Sequence, residues 1–349
     1  MKIVFVVPNM LGGGTEKVIT LLANEYANRN IEVAIMLFAG NQVVYELDKR
    51  VEIVSISAAP AGNVWLKIDR VRKIRSYLKK NEGCIIFAFS SMGAAYCVLA
   101  SYLMNIFILV SERSDPYQDP NYKWRDWAYK QADCLAFQTK EAMEFFPASV
   151  RKKSVVIPNP VDGKIPNRFE GKRKKNIVSS GRLETVKNIP LLLKSFKIFI
   201  QEHPEYNLHI YGTGSLEREL KELASSLNIV DNVVWHGFTQ NVVNEIVDSG
   251  MYILSSDHEG LSNSMLEALA MGIPTIATDV PMGGCRTYIK NEENGLLVPI
   301  KDEKAMARAM SRLADNQDFA SYLSLNATKI RELYSIAEIA DRFLNLVRK

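Results

Sequence analysis

Met1-Lys2-Ile3-Val4-Phe5-Val6-Val7-Pro8 runs, after three residues, into Gly12-Gly13-Gly14-Thr15-Glu16-Lys17. An unbroken apolar run of strand length, followed by a glycine turn that opens a helix to about Ala27, is the strand–turn–helix unit of a parallel sheet buried on both faces. The unit recurs along the chain. In the first half, apolar runs over 33–38, 51–56, 85–89, 106–110 and 134–138 read as further strands, separated by amphipathic helices. In the second half, the runs over 177–180, 206–211, 232–235, 252–254, 275–277 and 295–298 repeat the pattern. Strands alternating with helices specify a doubly wound α/β domain, here expected twice.

Pro158-Asn159-Pro160-Val161-Asp162-Gly163 leads into Lys172-Arg173-Lys174-Lys175, rich in proline and then basic, which suits an exposed linker. The expected division is a first domain over 1–162, a linker over 163–175, a second domain over 176–334 and a closing helix over 335–349. In sheets of this kind the ligand lies beyond the carboxyl ends of the strands, which directs attention to the loops there.

The 349 residues are 47% apolar and 23% charged, the balance of an ordinary globular protein with room for two cores. A net charge of +4, its excess in the first half, is too small to call for nucleic acid, and none is expected as a partner. Cys84, Cys97, Cys134 and Cys285 form no close pair, so neither zinc nor a disulfide framework is suggested and a reducing cytoplasm is the expected home. The apolar run Met92 to Val110 contains Gly93, Ser101, Asn105 and two tyrosines, and reads as a helix followed by a strand.

The chemistry-bearing stretches sit at strand ends. The dinucleotide fingerprint fails at the first glycine turn, because Lys17 occupies the place of its third glycine and the second strand ends without an acid. A Walker loop fails too, since Lys17 is followed by Val18. Ser179-Ser180-Gly181-Arg182-Leu183 ends a strand, and Lys187 follows shortly before a helix starting near Asn188 or Ile189. Two cations there suit a diphosphate leaving group, although two solvated side chains explain them equally. Gly212 and Gly214 turn the next strand into a helix, and Trp235-His236-Gly237-Phe238-Thr239 ends another that could hold a base. No Asp-x-Asp occurs, so neither a metal nor any other cofactor is expected.

Asp257-His258-Glu259-Gly260-Leu261-Ser262-Asn263-Ser264-Met265-Leu266-Glu267 places two carboxylates at a loop-to-helix junction. Eight helical positions separate side chains by roughly 80° in azimuth and roughly 12 Å along the axis, so both reach one side yet are too far apart to share one glycosidic oxygen. A helix cap plus a solvated glutamate is the plainer alternative.

Taken in order, the glycine turn, Gly181-Arg182 with Lys187, and Glu259-Gly260 with Glu267 resemble the retaining family-4 glycosyltransferases of the GT-B fold. The resemblance extends to Asn294-Gly295-Leu296-Leu297-Val298 and to Tyr334-Ser335. It implies two Rossmann-like domains facing across a cleft, the first binding acceptor and the second a nucleotide sugar, with the closing helix returning to the first. It implies that Arg182 and Lys187 clamp the donor diphosphate, Glu259 lies by the transferred sugar, and Glu267 binds the ribose. Backbone N–H groups of Gly260, Leu261, Ser262, Asn263 and Ser264 would meet sugar or phosphate. Gly13, Gly14 and Gly212 would approach the donor, and Phe238 would border its base, uracil. The chain departs from many members in having no histidine before His203. Val110-Ser111-Glu112-Arg113-Ser114-Asp115-Pro116 and Pro281-Met282-Gly283-Gly284-Cys285-Arg286 resemble instead a subgroup that extends polyprenyl-diphosphate-linked or capsular oligosaccharides, which makes Glu112 and Arg113 the acceptor candidates.

The segment 64–80 carries Lys67, Arg70, Arg72, Lys73, Arg75, Lys79 and Lys80 beside an apolar line of Val64, Ile68, Val71, Ile74 and Leu78. That spacing equally suits core packing with a solvated basic face, but with the aromatic and basic run Tyr122 to Lys130 it suggests peripheral attachment to an anionic membrane at its cytoplasmic face. The expected function is metal-free, retaining transfer from a UDP-sugar to a lipid-linked or polysaccharide acceptor. The competing classes are a sugar-nucleotide epimerase of the same fold and a nucleotide-sugar-binding subunit without turnover.

Overall fold

The structure, a computed structural model, describes residues 1–58 and 64–347. The chain divides into two compact units, Met1–Pro160 joined by the last helix Ile336–Val347, and Val161–Ser335.

Seven parallel strands build the first unit: β1 (Lys2–Val7), β2 (Glu32–Leu37), β3 (Glu52–Ser55), β4 (Ile85–Ala88), β5 (Phe107–Glu112), β6 (Cys134–Phe137) and β7 (Ser154–Val156). Their order is β3-β2-β1-β4-β5-β6-β7, with β1 paired to both β2 and β4. The direction of winding therefore reverses beside β1, and the Gly12–Gly14 turn stands at that switch point. Val4, Val6, Ile86 and Val110 face one core layer with Ile74, Leu78, Cys97 and Tyr129 of the helices Val64–Lys80, Ser91–Ala100 and Tyr122–Gln131. On the other face Phe5 meets Tyr26 and Phe87 at 6.2 and 5.6 Å, and Phe343 of the last helix lies 5.7 Å from Phe87. The Tyr26 hydroxyl donates to the Ala340 carbonyl at 3.1 Å, and Arg29 pairs with Asp341. Burial on both faces is why β1 is apolar without alternation. The last two residues of the expected closing helix, Arg348 and Lys349, lie outside the described residues.

The second unit has six parallel strands: β8 (Lys174–Ser180), β9 (Asn207–Tyr211), β10 (Val233–Gly237), β11 (Ser249–Leu254), β12 (Thr275–Thr278) and β13 (Leu296–Val298). The order β10-β9-β8-β11-β12-β13 puts its switch point between β8 and β11.

Three expectations need correction. Strand β7 went unread because three residues behind two lysines carry too little apolar signal. Strand β5 runs on to Glu112, beyond the expected end at Val110. Residues 163–175 are mostly exposed, as expected, but they do not form a separate linker: they belong to the second unit, Ile165 is buried, and Lys174 and Lys175 open β8. Arg173 donates to the carbonyls of Val247, Ser249 and Gly272 at 2.9, 3.1 and 2.7 Å, so a basic side chain completes backbone hydrogen bonds at the amino edge of the sheet. The second unit begins at Val161, whose N–H donates to the Tyr334 carbonyl at 2.7 Å.

Candidate functional site

The carboxyl ends of β8 and β11 carry the site. Gly181 leaves β8 with its N–H on the Tyr211 carbonyl at 3.0 Å, and Arg182 follows with an exposed guanidinium. A short turn, Thr185–Lys187, ends at Asn188 in the left-handed region (φ 43°), and the Asn188 side chain caps the helix Ile189–Phe199 by accepting from the Leu191 N–H at 3.2 Å. Asparagine tolerates that backbone, and its side chain then supplies the cap. The loop after β11 is tied to this turn at three points. The Asn188 amide donates to Asp257 at 2.8 Å, the Asp257 N–H donates to the Val186 carbonyl at 3.0 Å, and the Ser255 hydroxyl donates to the Lys187 carbonyl at 2.8 Å.

Within that frame Lys187 Nζ lies 2.5 Å from Glu259 Oε2, with both side chains largely withdrawn from water (15% and 17% exposed). The Ser256 hydroxyl donates to the same oxygen at 3.1 Å. Arg182 and Lys187 share the lining of one hollow with Ser179, Gly181, Tyr211 and Ser255.

The helix Asn263–Ala270 is capped by Ser262, whose Oγ accepts from the Met265 N–H at 3.3 Å. Glu259 lies in the loop before it, at the loop-to-helix junction expected from the sequence. Glu267 is buried in the second turn. Behind it, the buried Tyr252 hydroxyl donates to Ser264 Oγ at 2.8 Å, and Ser264 donates to the Ser180 carbonyl at 3.2 Å. Burial pushes the Tyr252 phenol up to about 12 and the Cys285 thiol likewise to about 12.

Among the glycines that close approach requires, two join the loops of the site. A Cβ on Gly212 (φ 124°) would stand 2.0 Å from the Gly181 carbonyl oxygen, and one on Gly284 would stand 1.7 Å from that of Gly260. Gly212 thus presses the β9 turn onto the Arg182 loop, and Gly284 presses its loop onto Gly260. Leu261 is buried, Asn263 and Ser264 half-buried, and Phe238 exposed beyond β10. Beside Phe238, His236 stacks flat on Tyr211 at 4.1 Å.

In the first unit, Gly13 and Gly14 are exposed at the carboxyl end of β1, where Gly13 caps the helix Gly14–Asn28. The two acceptor candidates are engaged internally. Glu112 accepts from the Ser114 N–H and hydroxyl at 3.0 and 2.6 Å and from the Tyr129 hydroxyl at 2.6 Å. Arg113 donates to Ser111 at 2.7 Å and Asn159 at 2.8 Å, with its guanidinium over Phe89 and Phe343. On the helix Val64–Lys80 the expected stripe divides: Ile74 and Leu78 join the core while Val64, Trp65 and Ile68 are exposed. Two of its cations are also withdrawn, Arg70 being buried near Tyr96 and Arg75 donating to the carbonyls of Ala100 and Tyr102.

Sequence reasoning missed Ser256, Asn188–Asp257 and Tyr252. A serine before the motif and a tyrosine inside an apolar strand carry no sequence signal of their own, and only the fold brings them to the site.

Comparison with known proteins places the chain. Residues 164–330 match the family described as glycosyl transferases group 1, and residues 12–164 match that described as glycosyltransferase family 4. An uncharacterized glycosyltransferase of Haemophilus influenzae is 25% identical over 99% of both chains. A Campylobacter jejuni alpha-1,4-N-acetyl-D-galactosaminyltransferase, named for an acceptor linked through PP to undecaprenol, is 26% identical over 99% of this chain and 98% of its own. Among solved structures, Anabaena HepE in complex with UDP and glucose superposes with a TM-score of 0.85 over the whole of both chains at 16% identity, a likeness of fold.

Proposed function

The chain belongs to the family-4 glycosyltransferases of the GT-B fold, and from that membership we propose that it moves a sugar from a UDP-sugar to a lipid-linked or polysaccharide acceptor, retaining the anomeric configuration and using no metal. The observation that carries the reading is the Lys187–Glu259 pair beside Gly181-Arg182, at the switch point of the second sheet. An anionic diphosphate finds Arg182 and Lys187 there, and Glu259, 2.5 Å from Lys187, receives sugar hydroxyls. Glu267 takes the ribose hydroxyls, and the exposed Phe238 borders the uracil.

Chemically, the two cations stabilise charge developing on the departing diphosphate, so no metal is needed for that task. The acceptor hydroxyl attacks from the face the leaving group departs, its proton passing to a diphosphate oxygen, while Glu259 orients the sugar. The carbon–oxygen bond to the diphosphate breaks as the new α-linkage forms. Glu112 and Arg113 hold the end of β5, shaping the acceptor side from behind. The name of the Campylobacter relative supports the lipid-linked acceptor.

The experiment is UDP release from a panel of UDP-sugars in EDTA, with and without membrane lipid extract. Release with one sugar, dependent on extract, supports the reading. Tight UDP-sugar binding without turnover on any lipid-linked acceptor favours a binding subunit, and interconversion of the sugar without acceptor favours an epimerase.

Among the described residues no helix is long and apolar enough to cross a membrane. Peripheral attachment at the inner face of the cytoplasmic membrane is the companion proposal, supported by Val64 and Trp65 (66% and 76% exposed) beside Lys67, and by the exposed Tyr122, Lys123 and Trp124. Sedimentation with anionic liposomes should exceed that with neutral ones, and Trp65→Ala should reduce it; equal failure to bind either refutes the attachment.

A further inference from the structure

Lys187 and Glu259 have opposite charges, hold one another at 2.5 Å, and are each assigned to a different part of the donor. Each group has further hydrogen-bonding capacity, but a donor that draws Lys187 to its diphosphate and Glu259 to its sugar competes with the contact the two make with each other. The backbone around them is tied down by Asn188–Asp257, Asp257–Val186 and Ser255–Lys187, so a change of partner is a side-chain event within a fixed frame. We propose that the pair exchanges partners when donor binds, and that Glu259 thereby sets the preference of the site for a sugar-bearing nucleotide over the bare nucleotide diphosphate. This rests on the reading of Lys187 as a diphosphate ligand given above.

The physical argument is a competition. A diphosphate that draws Lys187 toward itself weakens its hold on Glu259, whose carboxylate, 17% exposed, then keeps Ser256 Oγ as its remaining side-chain hydrogen-bond donor among the described residues. Leaving a withdrawn charge without its partner is costly. When the nucleotide carries a sugar, its hydroxyls donate to Glu259 and offset that cost. When it does not, nothing does. The consequence is functional: once the sugar has been transferred, Glu259 recaptures Lys187 and helps expel UDP, so the residue that orients the sugar also weakens product binding. A ligand shifts such an equilibrium only through its differential interaction with the two states, and here the difference is the sugar.

The test is calorimetric titration of UDP, without any acceptor, into the native protein, Glu259→Gln, Lys187→Ala and the double variant, with Glu259→Ala replacing Glu259→Gln should the latter not fold. Removing the carboxylate frees Lys187, so Glu259→Gln should bind UDP about tenfold more tightly than native, the scale of one charge-assisted hydrogen bond. In the Lys187→Ala background the same change should have no effect, because no cation remains to be released. A structural role for Glu259 alone moves UDP affinity in the other direction. Unchanged or weaker UDP binding by Glu259→Gln, with native binding intact, overturns the exchange and leaves the nucleotide site standing. Tightening that persists without Lys187 overturns it as well. Absence of UDP binding by all four proteins removes the UDP reading and the inference with it.

Discussion

Residue by residue, the site consists of groups whose work depends on a neighbour that the sequence does not place beside them. Lys187 and Glu259 are 72 positions apart yet form one ion pair. If Arg182 and Lys187 carry leaving-group charge, the double variant Arg182→Ala/Lys187→Ala should lose about 10²-fold or more in turnover while remaining folded, the scale of removing preorganised electrostatic groups; near-native rates in the UDP-release assay would refute the clamp. Protonation provides a second residue-scale prediction. Cys285 is raised from its ordinary 9.0 to about 12 by burial and by the nearby Glu259 carboxylate, and Tyr252 from 10.0 to about 12, chiefly by burial. A group whose folded pKa lies above its unfolded value adds stability that is complete below the unfolded value and lost as pH rises toward the folded one. The urea midpoint of the second unit should therefore fall as pH rises from 9 to 10.5, and fall less in Cys285→Ala; equal slopes in the two proteins would sink the assignment.

At the scale of elements, much was readable because strand and helix signals are local. The runs that became β1, β2, β4, β11 and β13 are apolar over strand length, since both faces of a parallel sheet are buried, whereas β10, at the sheet edge, alternates between buried and exposed residues. Strand β7 escaped because it is short and half-buried. The helix Val64–Lys80 shows why a periodic stripe does not announce its use: one stripe supplies core at Ile74 and Leu78 and a bare surface at Val64 and Ile68. The closing helix Ile336–Val347 was expected from the family resemblance, and its apolar face covers the first sheet. Phe343 is fully buried against Phe87 and Phe89. Phe343→Ala should cost about 3–5 kcal/mol, and hydrogen exchange should show the lost protection in β1 and β4 while β8 and β11 keep theirs. Uniform loss across both units would contradict the assignment of this helix to the first.

For the molecule as a whole, two sheets with a reversal of winding each create a switch point, and the glycine turn of one and the Arg182–Lys187 and Glu259–Ser264 loops of the other fall there. That placement follows from strand order, which no local signal encodes. The sequence by itself determined the fold class, the double repeat of the architecture, the family, and which residues to watch, because hydrophobic period, glycine turns and motif spacing are properties of neighbours along the chain. It misjudged where the second unit begins, since a mostly exposed, basic stretch over 163–175 looks, in one dimension, like a linker, and neither the burial of Ile165 nor the three carbonyls that Arg173 completes can be read there. Only the tertiary structure decided that Glu112 and Arg113 are held by internal partners, that Gly284 is pressed against Gly260, and that Lys187 and Glu259 hold each other. Those are contacts between segments far apart in sequence, and a contact of that kind exists only once the chain has closed around its two cores.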